Sequence, residues 1–201
     1  MRGIVFILTW LFSIAAFAQP DSCSTLKVHF LYGSKPATHY RHEEARYFGG
    51  LHGGHVSLES NDSVFSFRHA SPVHIFAHRK NRHSRIENIP ASTWAADTAG
   101  KKYLTVFIPL TPEQCAAFHR IKQQYSAQVP YDYAFFGMRC AASAYDVLSH
   151  SGIFKTRSRF GMVVTAFYPK LLRKKVMRLA AGKHYPITLH DGSPRRKWER
   201  H

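Results

Sequence analysis

The pattern of apolar and polar residues predicts several strands in the first half of the chain. Residues 26–32 alternate well enough for a strand that ends at Gly33-Ser34-Lys35-Pro36, and residues 102–110 form a second, stronger run. Residues 55–59 and 63–68 alternate on either side of Ser60-Asn61-Asp62, which predicts an antiparallel hairpin. The sequence therefore predicts a sheet with antiparallel neighbours.

One face of the first hairpin strand carries polar side chains. His55, Ser57 and Glu59 share that face, whereas Val56 and Leu58 share the other. We therefore expect His55 to face either solvent or a cleft.

Helical spacing appears in the second half of the chain. Thr111-Pro112-Glu113-Gln114 has the form of a capping box with proline at the first helical position, and Phe118, Ile121 and Tyr125 follow as a buried stripe. Residues 170–181 predict a basic helix that stops at Gly182. Residues 162–166 fit either a strand or the start of a helix.

Cys140 stands where a helix is predicted to begin. Ala141, Ala144, Tyr145 and Leu148 recur at helical spacing after it, and Gly152 is a C-terminal stop. The positive end of a helix dipole favours a thiolate, and so does the charge of Arg139. A cysteine among alanines is more often a packing residue, so Cys140 is either a nucleophile or part of the core.

Glycines lead directly into the strand of His55. Gly49-Gly50 and Gly53-Gly54 bracket Leu51-His52, after a polar stretch over residues 35–48. So many glycines before a strand predict unusual torsions or a close approach to another segment.

Composition suits one globular domain that is exported. The chain has 201 residues, and residues 1–18 show a basic start, an apolar run and an Ala-x-Ala end, which predict a cleavable signal peptide with a mature start at Gln19. We expect a domain over residues 19–189, a disordered basic tail over residues 190–201, and no transmembrane segment after cleavage. The expected location is the periplasm or the cell exterior.

The net charge of +16 predicts attraction to polyanions. For an exported protein, the expected partners are anionic cell-envelope polymers or phospholipid head groups rather than nucleic acid, and we expect a monomer. The basic runs can also be ordinary solvated faces.

Histidines leave a weaker metal hypothesis. His52 and His55 form an H-x-x-H pair, and His69, His74, His78 and His83 follow, but no tight zinc pattern such as C-x-x-C or H-E-x-x-H is present. We therefore expect neither a metal nor another cofactor.

Two stretches together resemble a known superfamily. Gly-Gly-His-Val at residues 53–56 opens a strand, and Tyr131-Asp-Tyr with Arg139-Cys140-Ala opens a helix. This resembles the circularly permuted branch of the papain-like cysteine hydrolases, which includes relatives of NlpC-type cell-wall hydrolases and lecithin-retinol acyltransferase-like enzymes. The resemblance covers about residues 26–153 and implies an α+β fold in which an antiparallel sheet packs on helices, with the histidine strand before the cysteine helix.

The resemblance also implies roles for four residues. Cys140 would be the nucleophile and His55 its general base. His69 is a candidate to orient His55, because Phe67, nearest the usual position of that residue, cannot do so. Tyr133 and the Cys140 backbone N–H could stabilise an oxyanion.

The implied reaction is acyl transfer through a thioester, on an amide or ester of the cell envelope. Peptidoglycan peptides are the favoured substrate, a lipid or lipoprotein acyltransferase is one alternative, and a non-catalytic basic binding protein is another. Three cysteines leave at least one unpaired in the chain, and if a disulfide forms, the pairing that keeps the nucleophile free joins Cys23 to Cys115.

Overall fold

The computed structural model describes residues 23–43, 50–80 and 82–200, which form an α+β fold. Its strands are β1 Thr25–Pro36, β2 Gly50–Ser60, β3 Ser63–His69, β4 His74–Phe76, β5 Ser84–Pro90, β6 Tyr103–Pro109, β7 Ala134–Phe136, β8 Ile187–His190 and β9 Arg196–Trp198. Its α-helices are α1 Ala91–Asp97, α2 Pro112–Ala127, α3 Cys140–His150, α4 Arg159–Thr165 and α5 Pro169–Lys183, and Thr38–Tyr40 form a 3-10 turn.

The main sheet is antiparallel, with strand order β5-β3-β2-β1-β6-β8, and β9 pairs with the end of β1. The short strands β4 and β7 form a separate parallel ribbon. The α+β class and the antiparallel sheet predicted from the sequence are therefore confirmed.

Strand alternation divides the apolar residues between the two faces of the sheet. Leu26, Val28, Phe30 and Tyr32 of β1 belong to the main core, together with residues of α2, α3 and α5. A smaller cluster of Leu31, Val64 and Trp94 lies on the other face, where α1 covers the sheet. The sheet face that packs on α2, α3 and α5 therefore forms the main core. The opposite face, which carries His29, Ser57 and Glu59, is also buried.

The predicted hairpin is present, and its turn explains the connection. Asn61 and Asp62 have φ of 47° and 58°, the left-handed region that a two-residue hairpin turn requires. The predicted capping box is also present, because the Thr111 side chain accepts from the Gln114 N–H and the Gln114 side chain accepts from the Thr111 N–H.

The glycines bring β1 and β2 unusually close together. A Cβ on Gly33 would lie 2.4 Å from the Gly50 carbonyl oxygen, and one on Gly54 would lie 2.4 Å from that of Leu31. Gly54 also has φ of +101°, which side chains rarely adopt. The predicted close approach is therefore confirmed at these two positions.

The disulfide and the free thiol are distributed as predicted. Cys23 is bonded to Cys115, across a sequence separation of 92 residues, and Cys140 is the free cysteine. The bond ties the start of β1 to the first turn of α2.

Two segments differ from their predictions. β1 continues to Pro36 because Ser34, Lys35 and Pro36 pair with β9, so the glycine and proline do not end it. The tail predicted to be disordered contains β9, and Glu199 forms an ion pair with the buried Arg173 of α5 at 3.5 Å. The guanidinium of Arg173 also stacks 3.9 Å from the Tyr32 ring centroid, so the tail is anchored to the core.

The expected signal peptide over residues 1–18 and the mature start at Gln19 lie outside the described residues. Within the described ranges, none of the helices has the length and apolar character needed to cross a bilayer.

Candidate active site

Cys140 is the first residue of α3, and its side chain is buried. Arg139 precedes it in extended conformation as the N-cap, with no side-chain hydrogen bond to the helix N–H groups. Ten consecutive residues from Cys140 to Ser149 are buried, so the helix lies inside the domain rather than on its surface. The thiol is therefore held at the positive end of a buried helix, as the sequence predicted.

Three donors surround the sulfur. The backbone N–H groups of Val56 and Ala141 donate to Cys140 Sγ, and so does the Tyr133 hydroxyl. Burial raises the pKa of the Cys140 thiol, while these hydrogen bonds and the charge of Arg139 act in the opposite direction. The net effect is a raised pKa, so the resting group is a thiol rather than the thiolate that the helix start and Arg139 favour in the sequence.

A gap in the sheet explains how Val56 reaches the sulfur. The pairing of β2 with β3 covers only Leu58 with Phe65, Glu59 with Val64 and Ser60 with Ser63. Beyond Phe65, β3 continues along β5 and leaves β2 without this neighbour. The N–H of Val56 is therefore available to Cys140 where the two strands separate.

His55 precedes Val56 on β2, but it does not hydrogen-bond the thiol in this state. Its Nε2 is shielded from solvent and has no hydrogen-bond partner among the residues that the structure describes. Removal from water, together with the charges of the nearby Arg68 and His69, lowers the pKa of His55 to about 3. The imidazole is therefore neutral near pH 7, with a ring nitrogen that is not engaged. Catalytic hydrogen bonds are often unformed without substrate, so this geometry leaves His55 as the candidate base.

A cavity of about 440 Å³ contains His55, His69 and Tyr133 in its lining. The cleft that sequence analysis allowed for His55 is therefore present. Arg68, Arg85 and Lys101 also line it, with Asp97 as the acidic residue. Cys140 is not part of this lining, because Tyr133 lies between the cavity and the sulfur.

His69 is next to the candidate site without orienting His55. Its side chain is exposed, and its Nδ1 bonds the Ser71 carbonyl oxygen at 3.1 Å. Its ring contacts Tyr133 at 5.6 Å between centroids. The structure therefore places His69 against Tyr133 and within electrostatic range of His55, and no hydrogen bond joins the two imidazoles among the described residues.

Tyr133 is the residue that joins these groups. Its hydroxyl donates to Cys140 Sγ and accepts from the Cys140 backbone N–H. Burial raises the pKa of Tyr133 most, and the nearby Cys140 sulfur also raises it, so the phenol keeps its proton. An oxyanion at this place would meet the two donors predicted for it, provided that the phenol releases the Cys140 N–H.

Sequence analysis missed the role of Asp132, although the residue lies inside the stretch that contains Cys140. Its Oδ2 accepts from His74 Nδ1 at 2.6 Å and from the His78 N–H at 2.8 Å, while Oδ1 accepts from the His83 N–H at 2.7 Å. Burial alone would raise the pKa of Asp132, but these hydrogen bonds lower it. Asp132 therefore fixes the loop that follows β3 to the segment before α3.

The histidines of that loop gather around Asp132, whereas the possible metal ligands lie elsewhere. Among the described residues, the ligand atoms of Cys23, Cys115 and His119 lie within 4.8 Å of one another. Its two sulfurs are bonded to each other, so thiolate ligands would require reduction of the disulfide.

Comparison with known proteins does not place the chain in a family. No protein-family model, no curated protein and no solved structure matches it.

Proposed function

We propose that the protein is an exported, papain-like cysteine hydrolase in permuted order, which acts on amide or ester bonds of cell-envelope material. The observation that carries the proposal is the position of Cys140 Sγ. It lies at the start of a buried helix, among two backbone N–H groups and a phenol, and next to the strand that holds His55. Packing alone does not require three donors around one sulfur.

In the proposed reaction, His55 takes the proton of Cys140 as Sγ attacks the substrate carbonyl carbon. The resulting oxyanion receives hydrogen bonds from the Cys140 N–H and the Tyr133 hydroxyl. His55 returns the proton to the leaving amine or alcohol, and a thioester on Cys140 remains. Water resolves it in a hydrolase, whereas an amine or hydroxyl resolves it in an acyltransferase.

Two features of His55 bear on this role. Its low pKa keeps the imidazole neutral near pH 7, but it also makes the imidazole a weak base, so the reaction requires a change around His55 that raises this pKa. Its Nε2, which has no hydrogen-bond partner among the described residues, is the acceptor proposed for the thiol proton. The two groups are not hydrogen-bonded within the part of the chain that the structure describes, so His55 must approach Cys140 Sγ for this transfer.

Peptidoglycan peptides are the substrate we favour on charge, since a chain of net charge +16 is attracted to the anionic envelope. A lipid or lipoprotein acyl group is the second candidate. A large, mainly apolar cavity between the β4–β7 ribbon and α4 favours it, because apolar walls do not match a polar stem peptide.

The test compares wild type, Cys140→Ala and His55→Gln on purified peptidoglycan and on phospholipid vesicles, with products identified by mass spectrometry. We expect products from wild type alone: stem-peptide fragments for a peptidase, or released or transferred acyl chains for a lipid enzyme. Equal melting temperatures of the three proteins control for folding. The absence of any wild-type product on both substrates would favour a binding protein instead.

A further inference from the structure

A second, larger cavity opens between the β4–β7 ribbon and α4. Its volume is about 1020 Å³, at the upper end of the range for small-molecule sites. Apolar side chains make up much of its wall: Met138, Phe136, Phe160, Val163, Val164 and Phe167. A cavity of this size and character fits a hydrocarbon chain.

Large apolar side chains in and beside this lining are exposed to solvent. Phe160 is 78% exposed and Phe76 is 71% exposed, and Phe136 and Val164 are also exposed. The rings of Phe76 and Phe136 stack on each other with centroids 5.6 Å apart. Contiguous exposed apolar groups of this kind mark binding sites.

Three arginines accompany the apolar wall. Arg79, Arg82 and Arg159 all line the cavity and are exposed. Arg82 donates to the Val129 carbonyl oxygen, and the Arg159 guanidinium lies 5.8 Å from the Tyr131 ring centroid. Within the described residues, none of the three forms an ion pair with a carboxylate. Their charges are available to an anionic ligand.

Asp132 contributes a carboxylate to the same lining, but the three arginines still leave an excess of positive charge there. Both of its oxygens are engaged by His74 and by the backbone N–H groups of His78 and His83. It therefore serves the loop that carries Arg79 and Arg82 rather than a ligand.

We propose that this cavity binds an acyl chain of an anionic phospholipid, with the chain against Phe136, Phe160 and Val164 and the head group against the arginines. An apolar peptide fits less well, because phenylalanine and valine side chains offer no partners for its backbone N–H and C=O groups. The combination of apolar and cationic side chains in one lining complements a lipid that has both a chain and a charge.

The cavity is connected to the candidate active site through Arg139. Its guanidinium stacks on the cavity residue Phe167 at 4.0 Å and donates to the carbonyl oxygen of the same residue. Gly137 and Met138 of the wall precede Cys140 by three and two residues. The identity of the bound chain as part of the acyl donor rests on the proposed function. Binding of the chain in the cavity does not depend on that function.

The test measures displacement of cis-parinaric acid, a fluorescent long-chain fatty acid, by lysophosphatidylglycerol and by zwitterionic lysophosphatidylcholine. We expect the wild type to bind the probe and to prefer the anionic lipid by about tenfold. Ala77→Trp places a large ring in the cavity and should weaken probe binding about tenfold. The double variant Arg79→Gln/Arg159→Gln should keep the probe but lose the preference between lipids.

Leu189→Trp is the matched control, because Leu189 is an exposed apolar residue of β8 outside the cavity, and it should bind as the wild type does. Circular dichroism and melting temperature check the fold of each variant. Failure of the wild type to bind, equal binding by Ala77→Trp, or stronger displacement by an apolar peptide would overturn the proposal. Cys140→Ala should retain binding whether or not the enzyme proposal holds, so the two failures are distinguishable.

Discussion

The hydroxyl of Tyr133 and the sulfur of Cys140 are hydrogen-bonded across the start of α3. The same hydroxyl accepts from the Cys140 N–H, so one phenol contacts both the proposed nucleophile and a proposed oxyanion donor. Tyr133 also lines the cavity that contains His55, and it therefore separates the thiol from the cleft. Access to Cys140 depends on this side chain.

Removal of the Tyr133 hydroxyl should make the thiolate less stable. A hydrogen bond to a charged group contributes about 1.5 to 3 kcal/mol, so Tyr133→Phe should lower the rate of Cys140 alkylation by iodoacetamide at neutral pH by about tenfold. The pH dependence of alkylation should shift upward in the variant. Tyr40→Phe changes a phenol of the Thr38–Tyr40 turn, which contacts Arg195 rather than Arg139, and is the control. Faster alkylation in Tyr133→Phe would show that the phenol acts only as a steric cover.

His55 should make the protein sensitive to mild acid. Its pKa is about 3 when folded and near the ordinary 6.5 when unfolded, so below pH 6.5 the unfolded chain binds a proton that the folded chain does not. The free energy of unfolding should fall with pH in this window by at most about 1.4 kcal/mol per pH unit. Urea unfolding of His55→Gln should show a shallower slope.

His184→Asn is the control for this slope, because His184 is exposed and its left-handed backbone suits asparagine. Equal slopes for wild type and His55→Gln would mean that His55 is solvated in solution, which would contradict its shielded position.

The buried carboxylate of Glu59 should contribute more to the free energy of unfolding than an exposed carboxylate does. His29 hydrogen-bonds Glu59 Oε2 at 2.9 Å and lowers the pKa of Glu59 to about 2, with help from Lys27. Glu59→Ala leaves His29 and Lys27 without this partner and should reduce the free energy of unfolding by about 3 kcal/mol. Glu87→Ala, at a more exposed ion pair with Arg68, should cost at most about 1 kcal/mol. Urea unfolding of both variants measures the two losses of stability. Equal losses would contradict the larger contribution expected from the buried carboxylate.

Reduction of the Cys23–Cys115 disulfide should also destabilise the fold. The bond closes a loop across 92 residues, for which chain entropy predicts a loss of about 4.6 kcal/mol. Thermal unfolding with and without dithiothreitol measures it. The variant Cys23→Ser/Cys115→Ser should match the reduced wild type and show no response to the reductant. A response in that variant would point to Cys140 as the affected thiol.

Local features of the fold were predictable because they depend on local sequence. The hairpin at Asn61-Asp62, the capping box at Thr111 and the start of α3 at Cys140 each follow from neighbouring residues. The tail was not predictable, because β9 is stable only through its pairing with β1 and through the contact of Glu199 with Arg173. Charge suggested disorder, but a long-range partner determined the structure.

The candidate site shows the same division. Cys140, His55 and Tyr133 were recognised from short patterns, whereas the donor role of the Val56 N–H depends on where β2 and β3 separate. The role of Asp132 required knowledge that residues 74 to 83 fold back onto it. The larger cavity combines the β4–β7 ribbon with α4, and periodicity within one segment cannot reveal such an arrangement.

Formation of an acyl-enzyme on Cys140 is the most direct test of the proposed mechanism. Wild type, Cys140→Ala and His55→Gln are incubated with p-nitrophenyl esters of short and long chains at neutral pH, quenched in acid, and analysed by intact and peptide mass spectrometry. We predict an acyl group on the peptide of wild type that contains Cys140, no such adduct in Cys140→Ala, and much slower acylation in His55→Gln. No acylation of Cys140 by any ester, or the same acylation in His55→Gln as in wild type, would contradict the roles proposed for these two residues.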